Sequence, residues 1–121
     1  MFRGPQRPLD GRYLAFLGGT ETFGKFYDSP FPALVERRIG TPCVNLGAVN
    51  AGVDVHARDA TVLAACHDAA ATVIQLPGVQ NQSNRFYSVH PRRNDRFLRP
   101  SAALETLYPD IDFTDIAFTR H

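Results

Sequence analysis

The apolar residues of this chain concentrate in three short, mainly apolar runs at 13–17, 42–46 and 72–76. Each run stops at a glycine or at a Pro-Gly pair. A short apolar run bounded in this way is typical of a strand that is buried on both faces of a sheet. The pattern therefore predicts three buried strands with these bounds.

The segments between the runs have helical character. Residues 20–27 predict a turn or short helix, 31–38 predict an amphipathic helix that Gly40 ends, and 54–70 predict a helix with one apolar side. The order strand, helix, strand, helix, strand implies right-handed crossovers and therefore a parallel sheet. The predicted fold class is a three-layer α/β domain, with sheet order 2-1-3 and helices on both faces.

The character of the chain changes after Gly78. Residues 80–99 are polar and basic without a clear period, which predicts a long irregular loop, and such loops usually serve a function. Residues 101–108 predict a further helix capped by Ser101. Beyond it, apolar residues alternate with polar ones, at Phe113, Ile116 and Phe118. No repeat or linker divides the chain, so we expect residues 1–121 to belong to a single domain.

Composition and charge restrict the classes of function. Hydrophobic residues make up 44% of the chain, an ordinary globular value, and the formal net charge of +1 argues against a protein that coats nucleic acid. The sequence has no membrane-length apolar run and no apolar signal region at its start, so we expect a cytoplasmic protein. Cys43 and Cys66 do not form a zinc pattern and are expected to be reduced, so we expect no metal and no cofactor.

The loop after the first predicted strand reads Leu-Gly-Gly-Thr-Glu-Thr-Phe-Gly. It resembles the first block of the SGNH (GDSL-type) hydrolases, Gly-Asp-Ser-x-Thr-x-Gly, with Gly18, Thr22 and Gly24 at matching positions. Gly19 replaces the aspartate of that block. The resemblance places Thr20 at the position of the nucleophilic serine.

The loops after the second and third strands resemble two further SGNH blocks. Val-Asn-Leu-Gly ends at Gly47, which falls on the oxyanion-hole glycine, and Gly-Val-Gln-Asn ends at Asn81. Asn81 lies one place later than the asparagine of the family's Gly-x-Asn-Asp, and the last block, Asp-x-x-His, has no counterpart. The resemblance covers residues 13–84. It implies a flavodoxin-like or SGNH-like sheet, with Gly19, Gly47 and Asn81 around an oxyanion.

A threonine nucleophile requires a general base. His56 and His67 are predicted at solvated helix positions, whereas His90 lies in the basic loop and within reach of the strand ends. Thr20 and His90 are therefore the predicted catalytic residues of a hydrolase or transferase that acts on an ester or a carbohydrate. The alternative is that the Thr20 hydroxyl caps the following helix.

Arginines and aromatic residues alternate in the segment 84–99. The guanidinium groups of Arg85, Arg92, Arg93 and Arg96 suit phosphate, sulfate or carboxylate, and aromatic faces suit a sugar. This segment predicts the alternative function, a non-catalytic anion-binding or sugar-binding module. Ordinary surface ion pairs would explain the same arginines, and the sequence leaves this choice open.

A closer resemblance, over nearly the whole chain, is to an uncharacterised bacterial domain-of-unknown-function family. Its members carry a similar Phe-Leu-Gly-Gly-Thr-Glu-Thr-Phe-Gly start and a stretch similar to residues 84–97. It implies a longer protein, so we expect this chain to be incomplete at its C-terminus. We expect a small-molecule or carbohydrate ligand, self-association through an open sheet edge, and neither a membrane nor a nucleic-acid partner.

Overall fold

The core of the fold is a parallel sheet with the order β2-β1-β3. The computed structural model describes residues 2–116. Within them, β1 (Leu14–Leu17) pairs in parallel with β2 (Cys43–Asn45) on one side and with β3 (Ala71–Ile74) on the other. The predicted strands and their order 2-1-3 are confirmed. The predicted burial is wrong for β3, which lies at the edge of the sheet and leaves Val73 and Ile74, on its two faces, exposed.

Two pairs of helices connect these strands. Between β1 and β2 lie α1 (Thr20–Phe23) and α2 (Phe31–Ile39). Between β2 and β3 lie α3 (Val53–Ala57) and α4 (Ala60–Asp68).

The helices pack against opposite faces of the sheet. The ring of Phe16 in β1 meets the ring of Phe31 in α2, with 5.6 Å between the ring centroids. The neighbouring residue Ala15 is fully buried in a cluster with Val62 and Ala65 of α4. Because successive residues of a strand point to opposite faces, α2 and α4 must cover different sides of β1.

The single helix predicted for 54–70 is wrong, because the chain forms two shorter helices there. α3 ends at Ala57, and the backbone leaves the helix at Asp59. The Asp59 carboxylate then accepts hydrogen bonds from the N–H groups of Thr61 and Val62, at 2.9 and 3.2 Å. This N-cap starts α4 as a separate helix.

The irregular loop predicted for 80–99 is also wrong in its second half. β4 (Tyr87–His90) and β5 (Arg93–Pro100) form an antiparallel hairpin with irregular pairing around Val89. The predicted last helix is present as α5 (Ala102–Leu107), and the Ser101 hydroxyl accepts a hydrogen bond from the N–H of Leu104 at its start.

The chain ends, as far as it is described, with a single 3₁₀ turn at Phe113–Asp115. The alternation predicted beyond this turn reaches Phe118, which lies outside the described residues. Within residues 2–116, no helix is long and apolar enough to span a membrane. Cys43 and Cys66 are free thiols, the first buried and the second half-buried.

Candidate functional site

The turn after β1 is formed by Gly18 and Gly19, and α1 begins directly after it at Thr20. A Cβ on Gly18 would lie 2.1 Å from the Oγ1 atom of Thr22 and 2.5 Å from the Oε1 atom of Gln75. The side chains of Thr22 and Gln75 therefore fill the space that the Cβ atom of any other residue at position 18 would need. Glycine is required here for close approach of the chain, which places the start of α1 against the end of β3.

Gln75, immediately after β3, joins the β3 end to this turn. Its Oε1 atom accepts hydrogen bonds from the N–H of Gly19 at 3.1 Å and from the hydroxyl of Thr22 at 2.6 Å. Its Nε2 group donates to the Glu21 carboxylate at 2.9 Å, and this bond lowers the pKa of Glu21. Gln75 was not among the predicted site residues, although a glutamine near the end of an apolar run is a signal that the strand has reached a polar edge.

The hydroxyl of Thr20 is bound to Asn50, in the loop after β2. It accepts a hydrogen bond from the Asn50 backbone N–H at 3.1 Å and lies 3.4 Å from the Oδ1 atom of the same residue. Asn50 has a φ of 59°, in the left-handed region that asparagine tolerates better than most residues. The group facing Thr20 is thus an amide, which cannot act as a general base.

The loop after β3 reaches the same place. An ideal Cβ on Gly52 would lie 1.9 Å from the carbonyl oxygen of Asn81, and one on Gly19 would lie 3.2 Å from that of Ala51. Gly19, Thr20 and Asn81 therefore gather around the loop Asn50–Gly52. We call this group of residues the strand-end cleft.

Gly47 lies against α1 instead of facing the cleft loop. Its N–H donates to the Oδ1 atom of Asn45 at 2.9 Å. A Cβ at Gly47 would come within 2.5 Å of the backbone nitrogen of Phe23. Its close contacts are thus with the backbone of α1.

The hairpin is attached to the cleft by Asn94, whose side chain is fully buried. Its Oδ1 atom accepts hydrogen bonds from the N–H groups of Gly52 and Val55, at 2.8 and 3.1 Å, at the start of α3. Its Nδ2 group donates to the carbonyl of His90 at 2.9 Å, and its own N–H donates to the carbonyl of Asn50 at 3.0 Å. One asparagine thus caps α3 from a distance and fixes the hairpin across the strand ends.

The predicted solvent exposure of His56 is wrong. The residue is buried, with 8% of its surface exposed. Its Nε2 atom lies 3.2 Å from the carbonyl oxygen of Gly18, the residue that follows β1. A carbonyl can only accept, so Nε2 carries the proton. The Nδ1 atom is buried and has no hydrogen-bond partner. Burial lowers the pKa of His56 and so favours the neutral ring.

A pocket of about 220 Å³ opens beside His56, next to the strand-end cleft. The backbone of Gly18, Gly19 and Gly52 forms one wall. The remaining lining is mainly apolar and comes from four parts of the chain: Leu17, Ala51, Val53, Ala57, Leu63, Ile74 and Pro77. We call this space the His56 pocket.

His90, the predicted base, has a role inside the hairpin turn. Its Nδ1 atom accepts a hydrogen bond from the N–H of Arg92 at 3.2 Å, and its carbonyl binds Asn94. His67 is exposed and pairs with Asp68 at 2.9 Å. Each of the three described histidines therefore has a partner other than Thr20.

The four predicted anion-binding arginines are spread over the hairpin. Arg85 lies over the ring of Phe86, 4.6 Å from its centroid, and Arg93 lies 3.6 Å from a carboxylate oxygen of Asp95. Arg96 is exposed on β5. Arg92 lines a groove of about 700 Å³ together with Arg58, a residue that the sequence analysis did not select.

The described part of the chain offers no metal site, because residues 2–116 contain no group of three or more His, Cys, Asp or Glu side chains able to hold an ion.

These observations define the protein as an α/β protein with a 2-1-3 parallel sheet, whose strand-end loops are bridged by a bulged hairpin. The chain belongs to the family described as "Domain of unknown function (DUF6473)", whose family model matches residues 1–121. No curated protein matches the chain, and no solved structure matches it.

Proposed function

We propose that the protein binds a small ester or carbohydrate at the strand-end cleft, on an SGNH-like sheet edge, and that Thr20 holds the cleft together without acting as a nucleophile. The observation that carries the second part is the contact of the Thr20 hydroxyl with the backbone and side chain of Asn50. Ligands of open parallel sheets bind at the carboxyl ends of the strands, which supports the location.

A nucleophilic hydroxyl needs a base within hydrogen-bond reach and a third group that orients the base. His56 donates to Gly18, His67 pairs with Asp68, and His90 accepts from the hairpin turn. None of these contacts directs an imidazole at Thr20. The Asn50 amide facing the hydroxyl can orient it but cannot remove its proton.

The chemistry of the cleft suits a neutral polar ligand. Asn50 brings a side-chain amide, with a donor and an acceptor, to the cleft, and Asn81 brings a backbone carbonyl oxygen. Esters present acceptors, and sugars present both donors and acceptors, so amides can bind either. Gly19 and Gly52 also line the adjacent pocket of about 220 Å³, which offers space for a ligand beside the cleft.

The hydrolysis of p-nitrophenyl acetate tests the role of Thr20. We expect the wild type and Thr20→Ala to release p-nitrophenol at the same rate, because no histidine within residues 2–116 contacts Thr20. Calorimetric binding of glycerol triacetate is expected to weaken about threefold to tenfold in Thr20→Ala, because Asn50 loses both hydrogen bonds to the Thr20 hydroxyl that shape the cleft. Thr20→Ser, which keeps the hydroxyl, is the matched control.

Hydrolysis by the wild type that falls at least a hundredfold in Thr20→Ala and persists in Thr20→Ser would establish the SGNH-like hydrolase instead. The convergence of Gly19, Thr20 and Asn81 is the observation that favours this outcome. Glycerol triacetate that binds equally to all three proteins would refute a role for Thr20 in shaping the cleft.

A second candidate function is anion binding in the groove that contains Arg58 and Arg92. Arg58 is paired with Asp54 at a long 3.4 Å, so its guanidinium keeps donors for a second acceptor. Two guanidinium groups on one groove favour a phosphate or a carboxylate. In this candidate, Arg92 is the one of the four predicted anion-binding arginines that binds the anion, together with Arg58.

Inorganic phosphate tests this candidate. We expect Arg92→Ala to weaken phosphate binding about tenfold, from the loss of a charge-assisted hydrogen bond. Arg96→Ala removes the same charge from an exposed site on β5 and should leave the affinity within about twofold. Equal weakening by both substitutions, measured by calorimetry at 0.15 M salt, would indicate a nonspecific effect of net charge and eliminate the groove.

A further inference from the structure

The outer side of β3 has no neighbouring strand among residues 2–116. β3 pairs with β1 on one side only. The N–H of Gln75 donates to the carbonyl of Leu17 in β1, and the direction of the main-chain groups alternates along a strand. The main-chain N–H and C=O groups of Thr72 and Ile74 therefore face away from β1, where a further strand could bind them.

The side chains of this edge do not protect it against pairing. Natural edge strands usually carry a charged residue, often lysine, or a proline or a bulge that prevents association. None of these occurs within Ala71–Ile74. Val73 and Ile74 are 43% and 57% exposed, and Leu76, just beyond the strand, is 87% exposed. The edge thus combines available main-chain groups with apolar side chains, which is the surface that another strand covers.

The charge pattern favours a second copy of the same chain as the partner. Residues 69–84 contain no Asp, Glu, Lys, Arg or His, although charged residues make up 21% of the chain. In a two-fold interface the same patch of both subunits meets itself, so a charge near the axis would face a like charge. A neutral edge avoids this repulsion and offers nothing that would select a charged partner.

The accessible surface of the chain is large enough for such an interface. It measures 8246 Å². A folded monomer of 121 residues is expected to expose roughly 6,500 Å². The difference is of the same order as the roughly 800 Å² that each partner buries in a standard interface. The surplus therefore matches what a dimer would cover.

We infer that two copies of this chain associate through β3 and join their three-stranded sheets into one continuous sheet. Two-fold symmetry requires the two edges to run antiparallel. The pairing that uses the outward groups of both residues places Thr72 opposite Ile74 of the second copy. Val73 then lies on the two-fold axis opposite its own copy, where cross-strand side chains are close together. The inference goes beyond the proposed function and does not depend on it.

Sedimentation velocity of the chain over a range of protein concentrations tests this dimer. We expect a reversible equilibrium between monomer and dimer in the wild type. Val73→Lys should weaken the dimer about tenfold, because two lysines meet at the axis and the contact between the valines is lost. Leu98→Lys is the matched control. It adds the same charge to a half-exposed residue of β5 and should change the dissociation constant by less than about twofold.

A mixture of Val73→Lys and Val73→Glu distinguishes pairing through β3 from any other interface. Each variant alone should associate weakly, because like charges face each other at the axis. The mixture should form a heterodimer about tenfold more tightly than either variant associates with itself, since opposite charges then meet. This preference arises only if residue 73 lies opposite its own copy.

Hydrogen exchange of the wild type keeps the inference testable if the variants do not fold. The N–H groups of Thr72 and Ile74 should exchange more slowly as the protein concentration rises, because the dimer binds them. Four results would overturn the inference. They are a monomer at every concentration, which would leave the edge to a different partner; a dimer that Val73→Lys weakens no more than Leu98→Lys; a mixture without preference for the heterodimer; and exchange at Thr72 and Ile74 that does not depend on concentration.

Discussion

Replacing Asn94 with alanine is expected to lower the free energy of unfolding by roughly 3 kcal/mol or more. The substitution leaves the N–H groups of Gly52 and Val55 without an acceptor and frees the carbonyl of His90. Each buried group that loses its partner costs about 1–3 kcal/mol. Asn94 is completely buried, so water cannot replace the lost bonds without rearrangement of the hairpin.

Asn84→Ala is the matched control for this prediction. Asn84 is exposed, and its Oδ1 atom also accepts from two backbone N–H groups, those of Phe86 and Tyr87. Solvent can replace these bonds, so we expect a loss of only about 1 kcal/mol or less. Urea denaturation of both variants provides the comparison. A loss for Asn94→Ala no greater than that for Asn84→Ala would show that Asn94 does not hold the hairpin on the cleft.

Gly52→Ala is expected to destabilise the protein by about 3 kcal/mol and to displace the loop after β3. The added Cβ would lie 1.9 Å from the backbone carbonyl oxygen of Asn81 and 3.0 Å from the Cβ of Asn94. Neither atom is at the flexible end of a side chain, so the main chain itself must move. The φ of Gly52 is −115°, which alanine adopts freely, so the effect comes from this contact.

Gly19→Ala is the matched control. It shows whether the loss of stability in Gly52→Ala comes from the contact with Asn81 or from replacing any glycine of the cleft. Its added Cβ would lie 3.2 Å from the carbonyl of Ala51, a distance that a shift of a few tenths of an ångström relieves. We expect a loss of about 1 kcal/mol or less. Thermal unfolding of Gly52→Ala and Gly19→Ala, measured by circular dichroism, gives the stability of both variants. Equal stability of Gly52→Ala and the wild type would mean that Asn81 does not approach Gly52 in solution.

The sheet could be predicted from the sequence because its signals are local. Each parallel strand is a short apolar run with a glycine or Pro-Gly stop, and the alternation with helices restricts the order to few arrangements. The one helix predicted for residues 54–70 was wrong because of Asp59. Asp59 falls within an apolar periodic stretch, and the period alone does not reveal that its side chain caps a new helix.

The hairpin and the burial of His56 could not be read from local patterns. Strand alternation in β4 and β5 is interrupted around Val89, where the pairing register shifts, so residues 80–99 have no clear period. His56 takes its position from a contact with Gly18, and Asn94 from contacts with Gly52 and Val55. These partners lie 38 to 42 residues away along the chain, beyond the reach of any periodicity argument.

The central claim is that the three strand ends form one ligand-binding cleft around the loop Asn50–Gly52. Titration of ¹⁵N-labelled protein with glycerol triacetate, and separately with methyl α-glucoside, tests it most directly. We predict that at least one of the two gives saturable shifts of the amide signals of Gly19, Ala51 and Asn81, while that of Leu98 on β5 stays unchanged. Saturable shifts confined to residues outside the cleft, or no saturable shift with either compound, would contradict the claim.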